Sequence, residues 1–314
     1  MEFIDQDRLQ YMCHYSFGDH GGMIGGNDKV PQAYCKKANR TNTEFFKLLD
    51  GNEGTTAILF IDNVRLYRRP IEFSDWEHKK PLIDSDREWL AKYEDEDLLE
   101  LCASFPNHEF IIFCALEDIP LDESIKIPDN VVSIHCCNAV YLNDKIRPWP
   151  HGLTRLMRSR YNAPVDLRWQ MDQNVIPTKL LYMNHNETTG SRTQIKPMFK
   201  DKSWATVPEK RADYPDYLKE IANHKFVLCP SGNGIDSARN WETLYLKRIP
   251  IFKDHPYLRE LFKNFPVLYV NEWSDITEEL LLSNEHLLEQ AKNNEPKLDL
   301  NKLFFQRTGF QYYD

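Results

Sequence analysis

Short apolar runs that do not alternate, set apart by segments of helical spacing, leave this chain few folds to adopt. In the first half, "TTAILFI" (55–61), "FIIFCAL" (110–116) and "VVSIHCC" (131–137) have strand length and no polar face, as strands covered on both sides require. Between the first two, residues 85–104 place Trp89, Leu90, Tyr93, Leu98, Leu99 and Cys102 at helical spacing. Strand, helix, strand in that order predicts a parallel α/β sheet. The second half repeats the pattern, with strands expected at 180–184, 204–207, 226–229, 249–252 and 267–270. Helices are expected up to Phe199 and at 214–223, 237–247 and 256–263, and one long helix at 276–293.

A chain of 314 residues is long for one hydrophobic core, so two domains are expected. "RYNAPVDLRWQMDQNVIPT" (160–178) has no clear period and carries two prolines, so the junction is placed there, giving domains 1–170 and 171–314. Two such α/β domains leave a cleft between them, where ligands bind. The net charge of −9 argues against a nucleic-acid partner, which needs a basic face. No window approaches the apolar length of a membrane span, and the acidic start "MEFIDQDRLQ" does not read as a signal peptide. Seven cysteines without paired metal spacing read as reduced thiols, with Cys136 and Cys137 as buried strand residues. Asn39 and Asn186 begin glycosylation triplets that are chance matches if nothing carries the chain into a secretory pathway.

The chemistry concentrates in "CPSGNGIDSARNWETLYLKRIPIF" (229–252). An apolar run stops at Ser231-Gly232-Asn233-Gly234, and a helix follows, capped by Asp236 or Ser237. Glycines admit a ligand close to the backbone, and the first-turn N–H groups of a helix favour negative charge. Arg239 near the helix start suits a phosphate, and Glu242 one turn on suits the vicinal hydroxyls of a sugar. The motif is neither a Walker loop nor GxGxxG. The alternative is a tight turn with an Arg239–Glu242 ion pair on a solvated helix face.

This stretch, continued by "LFKNFPVLYVNEWSDI", resembles the donor-binding half of GT-B glycosyltransferases, in particular exostosin-like enzymes. The match covers roughly residues 179–275 and aligns Arg239 and Glu242 with the family's arginine and glutamate. Thr243-Leu244 stands where the family has Ala-Leu, and Lys247-Arg248 puts bulk where it has a small Gly-Cys turn. The resemblance implies two Rossmann-like domains with parallel sheets facing across a cleft. It implies that Arg239 contacts the donor diphosphate and Glu242 its ribose. It likewise sets Asn184, Asn186 and Arg192 of "LLYMNHNETTGSR" toward the donor, although Arg192 also reads as an exposed loop residue.

Transfer from a nucleotide sugar with inversion needs a base for the acceptor hydroxyl. "SFGDHGGMIGGND" offers Asp19 and His20 in a glycine-rich loop, which read equally as a turn former and a surface histidine. Rivals are Asp62 and Glu117, next to Asp118, after apolar strands, and His151 in "PWPHGL". The acid pairs Asp5/Asp7, Asp84/Asp86 and Asp95/Asp97 mimic a metal-binding DxD, but the first comes before any nucleotide-binding sheet could precede it, and helix capping or solvation accounts for the other two. The expectation is therefore a metal-independent, inverting glycosyltransferase needing no cofactor. By the resemblance to exostosin-like enzymes it would move a sugar from a UDP-sugar, UDP-xylose being one candidate, to a glycan hydroxyl, and a cytoplasmic setting is expected. The alternatives are a GT-B nucleotide-sugar epimerase and a carbohydrate-binding protein of the same fold without catalysis.

Overall fold

In the computed structural model the apolar runs become strands of two separate parallel sheets, so the chain is α/β as its alternation predicts. The structure describes residues 3–4, 9, 12–13, 15–16, 54, 56–61, 66–67, 73–75, 80–81, 84, 97–114, 120–153, 163–185, 187, 190–210, 212–232, 234–293 and 298–310. The chain divides into two compact units. An amino-terminal unit comprises Asp5–His151 with Phe304–Asp314, and a carboxy-terminal unit comprises Gly152–Leu303 with Met1–Ile4.

The amino-terminal unit contains β1 (Tyr15–Ser16), β2 (Thr56–Ile61), β3 (Phe73–Asp75), β4 (Lys80–Pro81), α1 (Leu98–Ala103), β5 (Glu109–Cys114), β6 (Val131–Cys136) and β7 (Ile146–Pro148). Among the described residues its main sheet runs β1-β2-β5-β6-β7, all parallel. The β3–β4 pair is a separate antiparallel ribbon. The last five residues of both β2 and β5 are buried, which explains why neither alternates. Of the DxD-like acids, Asp97 caps α1, accepting from the Glu100 N–H at 2.8 Å, and Asp84 is exposed. Phe304 from the tail stacks on Phe113 of β5 with centroids 5.5 Å apart.

The carboxy-terminal unit contains α2 (Ala163–Asp172), β8 (Lys179–Tyr182), α3 (Gly190–Thr193), α4 (Ile195–Phe199), β9 (Ala205–Thr206), α5 (Tyr214–Asn223) and β10 (His224–Leu228). It continues with α6 (Ala238–Tyr245), β11 (Ile249–Lys253), α7 (Pro256–Leu261), β12 (Leu268–Val270), α8 (Glu278–Ser283), α9 (Leu287–Ala291) and α10 (Leu300–Thr308), whose last five residues belong to the other unit. The sheet order among described residues is β12-β11-β10-β8-β9, all parallel. Counting from β8, this is 2-1-3-4-5, the doubly wound order whose strand sequence reverses between its first and third strands. Leu181, Met183, Phe226, Leu228, Ile249 and Ile251 of the strands and their ends form a core cluster with Ile195, Phe199, Leu281 and Ala291 from the helices.

Two sequence expectations are corrected. The stretch without a clear period contains α2, whose burial does not sort by polarity: Leu167 and Gln170 are buried while Val165, Arg168 and Trp169 are exposed. The long helix expected at 276–293 is two helices, α8 and α9. Asn284 ends the first by donating its side-chain N–H to the Leu280 carbonyl at 2.8 Å, a local bond that competes with helix continuation.

Candidate nucleotide site at the switch point

The reversal in strand order places the loops after β8 and β10 side by side at the carboxyl edge of the sheet, the usual ligand crevice of such folds. Most of the described residues expected to face a donor lie on these loops or on the helices they lead into.

Met183, Asn184 and His185 follow β8 as buried residues before α3 begins. Arg192 on α3 reaches across to the other loop, where its Nε donates to the Ser231 carbonyl at 2.7 Å and Nη2 to the Pro230 carbonyl at 3.0 Å. The residue is buried, so the exposed-loop alternative for Arg192 does not hold. Gly232 gains a second reason to be glycine, since a Cβ there would stand 2.8 Å from Arg192 Nη2. The glycine turn is thus partly a seat for this guanidinium.

Past the turn, Asp236 is buried and accepts from Asn240 Nδ2, from Trp241 Nε1 and, at 2.8 Å, from the Ser237 N–H; the two side-chain bonds are both 2.7 Å. Ser237 holds the N-cap position of α6, but its hydroxyl meets Asn240 Oδ1 rather than capping the helix. Asp236 and Ser237 therefore build the entry to α6, whose first turn carries no side-chain cap from Ser237.

Arg239 follows in that first turn, half-buried, and donates from Nη2 to the Asn184 carbonyl at 3.0 Å. Its Nε is buried and has no hydrogen-bond partner. Burial works against its charge, but Tyr217 (which also accepts a hydrogen bond from the guanidinium), Cys229 and Glu242 more than offset this and hold its pKa above the usual value. Glu242 is 1% exposed and accepts from Tyr214 Oη at 3.1 Å and Tyr217 Oη at 2.9 Å. Burial, then the Glu242 charge, pushes both phenols far up, so they stay protonated donors. The residues 240–245 of α6 are all buried, so the solvated ion-pair face is replaced by an interior network. That network was not legible in sequence, because Tyr214 and Tyr217 lie on α5, more than twenty residues away.

His185 was also missed, although it lies only three residues past the end of β8, at the carboxyl edge of the sheet. It is 3% exposed, with Nε2 set 3.3 Å from the Arg192 carbonyl oxygen. Burial, then the Arg239 charge, pushes its pKa down to about 3. Among the expected residues, the structure brings together Asn184, Arg192, Ser231, Gly232, Arg239 and Glu242, with Gly234 in the same turn as the acceptor of the Gly232 N–H at 2.9 Å. Asn186 and Asn233 lie outside the described residues, as do Asp19, His20, Asp62, Glu117 and Asp118. His151, in the other unit, is half-buried.

A cavity of about 610 Å³ opens at the opposite, amino edge of the same sheet, lined by Val175, Lys225, Lys247 and Arg248 among others. Its cations are engaged in holding the fold. Lys225 pairs with Glu285 at 2.7 Å, and Arg248 donates to the Ala222 and Val175 carbonyls.

No protein-family model matches the chain, and a comparison with curated proteins finds no match. Among solved structures, an alpha1,3-fucosyltransferase is similar over 72% of this chain and 82% of its own, at 11% identity and a TM-score of 0.29. A second, an alpha1,3-fucosyltransferase with GDP-fucose, is similar over 84% and 87%, at 11% identity and a TM-score of 0.31. At such scores neither the fold class nor the site rests on the likeness.

Proposed function

We propose that this chain is a glycosyltransferase of the GT-B kind, in which the half beyond about residue 170 holds a nucleotide-sugar donor. The observation that carries this reading is the Arg239 guanidinium at the switch point, its Nε buried without a partner beside a helix start that its N-cap serine leaves uncapped. Such a donor atom favours an anion at the place where doubly wound sheets bind their ligands. The resemblance of residues 179–275 to exostosin-like enzymes supports the diphosphate of a nucleotide sugar as that anion. During transfer the diphosphate gathers charge as it leaves, and Arg239 with the α6 dipole stabilises that charge. In this reading the positive charge comes from protein groups, so transfer is metal-independent.

Asn184 orients Arg239 through its carbonyl, and Arg192 braces the two loops. The amino-terminal half takes the glycan acceptor, with Asp19 and His20, or Asp62, Glu117 or His151, as the base of an inverting transfer. UDP is favoured by the exostosin-like pattern, with UDP-xylose one candidate, and a cytoplasmic setting by the reduced-thiol reading of the cysteines.

Calorimetry with UDP and GDP tests the site. Arg239→Ala is expected to lower transfer efficiency by roughly 30- to 1,000-fold, corresponding to about 2–4 kcal/mol of lost charge stabilisation. Arg239→Lys should recover part of it, because an ammonium cannot fork. EDTA should change nothing. Diphosphate release that rises with a glycan acceptor supports transfer over epimerisation or binding alone. Full activity in folded Arg239→Ala overturns the reading.

A further inference from the structure

His185 lies within the stretch that resembles the donor domain, but the resemblance assigns it no role. Its Nε2 faces the Arg192 carbonyl, so Nε2 carries the proton and Nδ1 keeps a lone pair. That Nδ1 is buried and has no hydrogen-bond partner. Among the described residues the switch point therefore buries two unsatisfied atoms of opposite kind: a donor at Arg239 Nε and an acceptor at His185 Nδ1. They do not suit the same ligand group. A phosphate oxygen meets Arg239 well, but against Nδ1 it would set lone pair against lone pair. Protonating the ring would remove that conflict, yet burial and the nearby Arg239 charge keep His185 neutral down to about pH 3. A hydroxyl, which can donate, is the ligand group that satisfies Nδ1. Glu242, which the family pattern assigns to ribose, already accepts from two tyrosines.

We propose that His185 Nδ1 accepts a hydrogen bond from a sugar-ring hydroxyl of the bound nucleotide sugar, next to the diphosphate held by Arg239. This deepens the nucleotide-sugar reading and rests on it. The hydroxyl belongs either to the ribose or to the transferred sugar, and the two sources give different results.

Calorimetry on the full chain compares whichever of UDP or GDP binds with its 2′,3′-dideoxy form and with the matching nucleotide sugar. If the ribose supplies the hydroxyl, the dideoxy form binds wild type about tenfold more weakly, the usual scale for an unmade buried hydrogen bond. In His185→Phe that difference then shrinks below about twofold. If the transferred sugar supplies it, the dideoxy form binds as well as its parent. His185→Phe then weakens the nucleotide sugar about tenfold and leaves the diphosphate unchanged. His185→Asn serves if the phenylalanine variant fails to fold, and the dideoxy comparison on wild type needs no variant. A donor whose affinity ignores both the ribose hydroxyls and the residue at 185 overturns the proposal and leaves the nucleotide-sugar reading standing. Failure of both UDP and GDP to bind wild type overturns that reading, and this inference with it.

Discussion

At Glu242 the family resemblance and the packing ask for different things. The resemblance gives its carboxylate to a ribose, whereas the structure gives its oxygens to Tyr214 and Tyr217 in an interior site close to Arg239. Glu242→Gln separates them. As an interior network member, the variant replaces one acceptor oxygen with a donor and leaves the Arg239 charge less compensated. Urea unfolding should then show a loss on the order of 1–3 kcal/mol. As a ribose contact alone, it would weaken the donor and leave the urea midpoint in place. Tyr217→Phe distinguishes further, since it removes a hydroxyl from the network without touching the glutamate.

Among elements, α6 shows how a helix is ended against its residue type. Arg248 N–H donates to the Thr243 carbonyl and Lys247 N–H to the Leu244 carbonyl, both at 3.0 Å, the paired bonds of a Schellman stop. The residue between cap and exit, Lys247, has φ of 59°, in the left-handed region where glycine is the usual occupant. The exostosin-like pattern has its small residue at this turn, and the structure shows the physical reason for one. Lys247→Gly should therefore stabilise the carboxy-terminal unit by about 0.5–1 kcal/mol, read as a higher urea midpoint at unchanged slope. A lower midpoint would mean that the lysine side chain contributes more than its backbone costs. The other element-scale surprises, α2 and the α8/α9 break, share one cause. Periodicity registers neither the burial of a polar residue such as Gln170 nor the local cap bond of Asn284.

Each of the two units buries a neutral histidine, which sets how the molecule answers to acid. His135 in β6 stacks on Phe113 with centroids 4.8 Å apart and meets Ser133 Oγ through Nε2 at 3.1 Å. Burial, then Arg307 and Arg147, pushes its pKa down to about 3, as burial and Arg239 do for His185 in the other unit. His224 is lowered too, mainly by burial. Unfolded histidines titrate near pH 6.5, so between that value and about 3 the unfolded chain binds more protons than the folded one. Stability is thus fully present above about pH 6.5 and falls as the pH drops. The slope approaches about 1.4 kcal/mol per pH unit for each such histidine. Urea midpoints measured from pH 7.5 to pH 5 should decline, and a flat profile would show that these rings take up protons in the folded state. His135→Phe should flatten the decline of the amino-terminal unit selectively.

What the sequence determined by itself is local. Unalternating apolar runs specify strands covered on both faces, and their separation by helical segments specifies parallel α/β sheets, both of which the structure contains. A proline-serine-glycine turn ahead of Arg239 marked one side of the candidate site. Strand order was decided only in three dimensions, because which parallel strands become neighbours depends on how whole helix–strand units pack. Placing β8 beside β10 is what brings Arg192 to the carbonyls of Pro230 and Ser231, and Asn184 to Arg239. The same packing buries Glu242 under two tyrosines and leaves the acceptor nitrogen of His185 facing no protein partner. Burial and hydrogen-bond satisfaction belong to the assembled environment of a side chain, and a run of residue types carries no record of that environment.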